Sequence, residues 1–213
     1  MSPATPTQPR RRDRRRVRHE ATKQEILATA WTMVRADGLA ALSLRALAHA
    51  VDMEPQSLYT YFASKNALYD CMFADGNREL ASQFAATEIP AEPRAALRAL
   101  ARHFVAFATQ DQARYQLLFL RTIPGFQPSP ESYAIAVRVL AGVRAILARA
   151  GIRAETDFDL WIALVAGLAG QQLANDPGGD RYSRLVDDAI TMYADHVLGP
   201  AANGDAGRAP RPG

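Results

Sequence analysis

The sequence holds a single cysteine, Cys71, so no disulfide can form within the chain, and the paired cysteines of a structural zinc site are missing. Its four histidines, His19, His49, His103 and His196, are scattered rather than set at metal-ligand spacing. No apolar run approaches the roughly 18 residues that span a bilayer. The longest strongly apolar stretch is Leu160–Gly170. The basic N-terminus is not followed by the apolar h-region of a secretory signal. These absences predict a cytoplasmic protein in a reducing setting, with no metal, no cofactor and no membrane partner. Residues 70–199 also lack a phosphate-cradling glycine loop and any Ser, His and Asp motif. No catalytic residues are therefore assigned, and the chain is not expected to be an enzyme.

What is present is an ordinary globular composition: 213 residues, 48% hydrophobic and 22% charged, enough for one or two domains. The net charge of +3 is unevenly spread. Residues 1–21 carry Arg10, Arg11, Arg12, Arg14, Arg15, Arg16 and Arg18 against Asp13 and Glu20, giving +5, while the rest sums to −2. With three prolines and almost nothing to bury, this arm is expected to be disordered in isolation, as is the tail over 200–213.

Between these ends Ala and Leu dominate, β-branched alternation is scarce and apolar residues recur at helical spacing, which predicts an all-α protein of about nine helices. Thr22 and Glu25 form a capping box for a first helix that ends at Gly38, with Ile26, Leu27 and Ala30 on its apolar stripe. Ser43 caps a second helix to Val51. Pro55 opens a third to Phe62, and Ser64 caps a fourth from Lys65 to Thr87. Later helices are expected over 92–109, 112–122, 130–150, 157–174 and 181–198, broken at Pro124-Gly125, Pro128, Gly151 and Pro177-Gly178-Gly179.

The second and third helices, joined by a tight turn, have the spacing of a helix-turn-helix whose second helix enters the DNA major groove. Leu58 and Phe62 supply the inward pair. Gln56, Ser57, Tyr59, Thr60 and Tyr61 supply the short polar and aromatic residues that reach DNA. The segment LSLRALAHAVDMEPQSLYTYFASKNALY, within a stretch from Thr22 to Tyr69, resembles the DNA-binding segment of the TetR family of transcriptional regulators. That resemblance implies a homodimer with an N-terminal three-helix DNA-binding domain (22–68) and a C-terminal helical ligand-binding and dimerisation domain (69–199).

The resemblance further implies that Ser43, Tyr59 and Lys65 meet phosphates, while Arg45, Gln56, Ser57, Thr60 and Tyr61 lie near base edges. Arg45 suits a bidentate contact to guanine and Gln56 one to adenine. Asp52 departs from the family, which usually has Gly in this turn; Asp tolerates unusual turn dihedrals, so the motif is expected to survive. Tyr61 stands where many members have His. The arginine arm is expected to hold phosphates or to enter an adjacent minor groove, with simple solubilisation as the alternative.

In the C-terminal half, Phe104, Phe107, Tyr115, Phe119 and Trp161 are assigned to a small-molecule pocket, with His103, Arg121 and Gln171 adding polarity. Phe119–Pro130 either walls this pocket or is a connector. The last two long helices are assigned to the dimer interface through the small-residue stripe Ala163, Gly167 and Gly170 and through Val186, Ile190, Tyr193 and Val197. The alternative is that these residues face the subunit's own core. The resulting expectation is a ligand-responsive regulator, more a repressor than an activator. It binds a near-palindromic double-stranded operator as a homodimer, with recognition helices about 34–36 Å apart, and is released by a small-molecule effector acting through the fourth helix. Two rivals stay open: a nonspecific architectural DNA-binding protein and an all-helical enzyme.

Overall fold

The computed structural model describes residues 11–200, and these form nine α-helices, one 3-10 turn and no strand. In chain order they are α1 (Arg11–Asp37), α2 (Leu44–Ala50), α3 (Pro55–Leu58), α4 (Lys65–Ala86), α5 (Pro93–Gln110), α6 (Gln112–Phe119), α7 (Pro130–Arg149), α8 (Glu155–Asn175), the 3-10 turn Ser183–Leu185, and α9 (Val186–Leu198). None is long and apolar enough to cross a membrane.

Three boundaries differ by four residues or more from those read in the sequence. α1 passes through Thr22 without a cap, so from Arg11 onward the expected disordered arm is helix. Arg and Ala are good helix formers, and the Gln24 amide donates to Glu20 one turn earlier at 3.0 Å, which favours continuing the helix over capping it. Residues 1–10, Arg10 among them, and the tail over 201–213 lie outside the described residues. α3 is a single turn that ends at Leu58 rather than Phe62, although the backbone N–H groups of Tyr61 and Phe62 still donate to the Leu58 carbonyl at 2.9 and 3.0 Å. The last helix begins at Val186, after the 3-10 turn.

The described chain divides into two compact units. The first comprises residues up to Glu79 with Asp111–Ala136, and the second Leu80–Gln110 with the residues from Val137 onward. This division is not the single cut expected near residue 68. α6 joins the first unit because Ala113 and Leu117 are buried in one cluster with Ile26, Ala30 and Val34 of α1, Leu47 of α2, Leu58 of α3, Phe62, and Leu68 and Met72 of α4. Polar groups fix the same arrangement. Arg35 pairs with Asp111 at 2.7 Å, and Asp111 caps α6 by accepting from the Arg114 backbone N–H at 2.9 Å. The Trp31 indole donates to Asp75 at 2.8 Å. Asp70 accepts from Ser129 and Ser132 at the start of α7. The Tyr69 hydroxyl donates to the Leu39 carbonyl at 2.5 Å, which holds the loop between α1 and α2.

The second unit is built around Leu97, Leu100 and Val105 of α5, Val143 and Leu147 of α7, Phe158, Trp161 and Val165 of α8, and Val186, Ile190 and Tyr193 of α9. Arg94 pairs with Asp195 at 2.6 Å, and Arg102 pairs with Asp187, so α5 and α9 are also joined at the surface. The Tyr193 hydroxyl donates to the Asp157 carbonyl at 2.8 Å. Burial first, and the Asp157 charge second, push its pKa up to about 12 from 10.0. A phenol protonated more tightly in the folded state contributes stability that is complete below the unfolded value and lost as pH rises through the folded one. Denaturation of the wild-type protein monitored between pH 10 and pH 12 should therefore show a falling midpoint, and Tyr193→Phe should make that fall shallower. An equal slope in the variant would remove Tyr193 from the account.

Candidate nucleic-acid interface and cavity

Ser43 has extended backbone angles, and its hydroxyl accepts from the Ala46 N–H at 3.5 Å, which starts α2. The turn that follows depends on Asp52, the one non-glycine residue with positive φ (+53°) among the described residues. Its N–H donates to His49 and that of Met53 donates to Ala48 at 2.8 Å, so the chain reverses tightly and reaches Pro55 at the first position of α3. Leu47, Ala48, Leu58 and Phe62 are buried beneath the motif. Burying those positions leaves Arg45, Gln56, Ser57, Tyr59 and Thr60 exposed together, with Tyr59 53% exposed. The Thr60 hydroxyl donates back to the Ser57 carbonyl at 2.7 Å. Of the residues expected to read bases or hold phosphates, Ser43, Arg45, Gln56, Ser57, Tyr59 and Thr60 are thus solvent-exposed.

Two residues are placed less freely. Tyr61 is half-buried, and its ring stacks on His19 of α1 with centroids 4.5 Å apart and planes 13° from parallel. The Lys65 ammonium donates to the Ala40 carbonyl at 3.0 Å and lies 5.5 Å from the Tyr69 ring. Any phosphate contact by Lys65 would share that cation with the loop. Sequence reasoning missed His19 entirely, because no local pattern signals a stack across 42 positions of chain. The stack has an electrostatic consequence. Arg15 and Arg16 precede His19 by four and three residues on the same helix, so they share its face, one turn beyond the contact with Tyr61. Arg14, Arg15, Arg16 and Arg18 are all exposed. They are fixed on a helix that abuts the recognition segment instead of trailing as a flexible arm.

The five aromatics assigned to a pocket are divided between the two units. Tyr115 and Phe119 belong to the first unit and pair with each other at 5.5 Å, whereas Phe104, Phe107 and Trp161 belong to the second. Trp161 is buried in the second core and its indole nitrogen has no hydrogen-bond partner. Arg121 is exposed in the first unit, and Gln171 is exposed with its side chain accepting from Asn175. Within the second unit, however, Phe107 and His103 line a cavity of about 480 Å³ together with Gln83 of α4, Leu173 of α8 and the Pro177-Gly178-Gly179 turn. The sequence marked that turn only as a helix break. The buried Gln172 holds it: its amide N–H groups donate to Asp176, and its carbonyl accepts from the N–H groups of Tyr182 and Ser183 at 2.8 and 3.1 Å.

Two family models match the chain: "Bacterial regulatory proteins, tetR family" over residues 26–72, and "Tetracyclin repressor-like, C-terminal domain" over residues 97–194. The chain belongs to the TetR family. By class it is a ligand-binding, DNA-binding regulator of transcription. Among solved structures, the regulatory protein SCO4313 is 25% identical with a TM-score of 0.68 and covers 90% of this chain and 100% of its own. The TetR family transcriptional regulator PfmR from Thermus thermophilus is 20% identical, with a TM-score of 0.59 and coverage of 82% and 97%. The multidrug binding protein EbrR, solved with imidazole, is 24% identical, with a TM-score of 0.59 and coverage of 91% and 97%. A comparison with the curated proteins gave no match.

The TetR reading of α8 and α9 as the dimer surface needs a correction. Val186, Ile190 and Tyr193 are buried against this subunit's own α5 and α8, and Val197 packs on the same core, so that face of α9 is not available to a partner. Ala163 and Gly167 of α8 are exposed, with Leu160 on the same stripe, and Gly170 is half-buried. Met192 of α9 is 72% exposed.

The departure of Asp52 from the TetR glycine is now explained: the position takes a left-handed conformation that Asp tolerates and β-branched residues do not. Asp52→Gly should leave unfolding stability within about 0.5 kcal/mol of wild type, whereas Asp52→Val should cost on the order of 1–2 kcal/mol. Equal stability of the two variants in chemical denaturation would contradict this role for the turn.

Proposed function

We propose that this TetR-family protein is a repressor that binds a near-palindromic operator as a homodimer and is released by a small-molecule effector. One observation carries the reading: Arg45, Gln56, Ser57, Tyr59 and Thr60 are exposed together on a helix-turn-helix whose apolar residues Leu47, Ala48, Leu58 and Phe62 are buried. Exposed polar groups held by a rigid motif can meet base edges, and base contacts choose sequence. The basic turns at the start of α1 supply the sequence-independent attraction, and the His19–Tyr61 stack sets them beside the reading residues. Ser43 and Tyr59 bind phosphate, Lys65 does so while keeping its loop carbonyl, and the arginines add to them.

Dimerisation uses Leu160, Ala163 and Gly167 of α8, extended by Met192 of α9. Gly167 is suited to close approach by a second helix, since a Cβ built there meets nothing within 4 Å in its own subunit. The effector role draws support from the cavity of the second unit and from the likeness to EbrR, a multidrug binding protein. Release is a population shift: an effector that prefers the conformer with wrongly spaced recognition helices weakens DNA binding by its differential affinity. The protein works in the cytoplasm.

Three experiments test the reading once an operator has been selected from a random duplex pool. Arg45→Ala should lose roughly tenfold to a hundredfold in operator affinity and relax discrimination at one base pair. Replacing Arg14, Arg15, Arg16 and Arg18 by Gln should instead weaken operator and random DNA alike and flatten the salt dependence by about 0.9 log units per lost phosphate contact. Equal wild-type affinity for operator and random duplex would favour an architectural role instead. In sedimentation, Gly167→Arg should be a folded monomer with weakened operator binding; a persistent dimer would move the interface elsewhere.

A further inference from the structure

α1 extends several turns before Thr22, and this brings His19 against the recognition segment. The His19 and Tyr61 rings are stacked, with centroids 4.5 Å apart and planes 13° from parallel. One turn further along α1, the Lys23 ammonium lies 5.8 Å from the centre of the Phe62 ring. The consecutive residues Tyr61 and Phe62 are therefore each met by a residue of α1, and those two residues are four positions apart on one helix face. Had the helix begun at Thr22, His19 would belong to the arm and Tyr61 would lack its partner ring.

Tyr61 is held while its hydroxyl stays available. Its backbone N–H donates to the Leu58 carbonyl at 2.9 Å, and its side chain packs on the apolar cluster of the first unit as well as on His19. The hydroxyl has no hydrogen-bond partner among the described residues and is not buried, so it is open to solvent. Tyr59, two residues earlier, is 53% exposed, and its side chain has no ring or hydrogen-bond partner among the described residues. The contrast matters because the two kinds of DNA contact make different demands. A phosphate oxygen can be met by a hydroxyl that swings, and the contact carries no sequence information. A base edge presents donors and acceptors at fixed places in the groove, so only a group that keeps its orientation can tell one pattern from another. A ring free to turn must also be immobilised on binding, which costs affinity, and it can re-aim at a wrong base, which costs discrimination.

We propose that His19 is a positioning residue for base recognition: its ring holds Tyr61 in one orientation, and the Tyr61 hydroxyl, donor and acceptor at once, reads a base edge. This deepens the DNA-binding reading above and rests on Tyr61 lying near a base edge. The full chain and its variants are titrated with the selected operator and with duplexes carrying each single base-pair change. Tyr61→Phe, which keeps the stack and loses the hydroxyl, should narrow the preference for the operator at one base pair by roughly twofold to tenfold. His19→Ala should narrow it at that same base pair by roughly twofold to tenfold and leave the salt dependence unchanged, since no phosphate contact is lost. His19→Phe, which retains a ring without a ring nitrogen, should restore the preference. The double variant of His19→Ala with Tyr61→Phe should be no more relaxed than Tyr61→Phe alone. Without DNA, Tyr61→Leu should shift the His19 imidazole proton signals in NMR spectra, which reports the stack itself. Tyr61→Phe without effect at any base pair removes the base-reading role of Tyr61 and the proposal with it. Full preference in His19→Ala beside a relaxed Tyr61→Phe overturns the positioning role alone and leaves Tyr61 reading its base. A flatter salt dependence in His19→Ala that His19→Phe does not restore makes His19 a phosphate contact instead. Additive losses in the double variant, or imidazole signals that Tyr61→Leu leaves in place, likewise overturn the proposal.

Discussion

The burial of Leu58 and Phe62 is the constraint on which the DNA-facing part of this protein depends. α3 is one turn long, far below the length at which a helix is stable by itself in water. It exists because those two side chains are inserted among Leu47 of α2, the apolar stripe of α1 and Leu68 and Met72 of α4. Truncating either would cost on the order of 2–5 kcal/mol and would release the segment that carries Gln56, Ser57, Tyr59 and Thr60. The reading surface is thus what remains outside once the motif has packed. The left-handed turn at Asp52 serves the same end, because it sets the direction in which α3 leaves α2.

Charge and specificity are divided between neighbouring elements. The mild net charge of +3 conceals a cationic segment of +5 attached to a body of −2. In a flexible arm those arginines would give attraction without position. Arg14, Arg15, Arg16 and Arg18 are instead carried on α1, the helix that the His19–Tyr61 stack ties to the recognition segment. The second unit follows the opposite rule. Its surface is laced with ion pairs such as Arg102 with Asp187, while the residues that line its cavity carry no formal charge. Exposed pairs of that kind contribute little to stability, so the unit's order rests on the apolar contacts of α5 with α8 and α9.

Several features could be read from local chemistry because their causes are local. Ser43 and Ser64 are followed at three residues by the N–H groups their hydroxyls satisfy, and Gly38 closes α1 with a φ of +83°. The helical period of Ala and Leu placed the later helices to within a few residues. The site was legible where exposure follows from amphipathicity, as at Gln56 and Thr60. It was not legible where a side chain's partner is remote. Nothing near His19 announces Tyr61, and nothing near Gln172 announces that its amide binds a turn ten residues on.

The sequence by itself determined the all-α class, the helix-turn-helix and the residues it exposes, since periodicity, caps and turn chemistry act within a few residues of chain. Tertiary packing decided the rest. It drew α6 into the first unit, turned Val186, Ile190 and Tyr193 inward while leaving Leu160, Ala163 and Gly167 of α8 exposed, and put His103, Phe107 and the Pro177-Gly178-Gly179 turn around one cavity. An apolar helix face specifies that it will be buried, but not against what, because hydrophobic burial has no direction of its own.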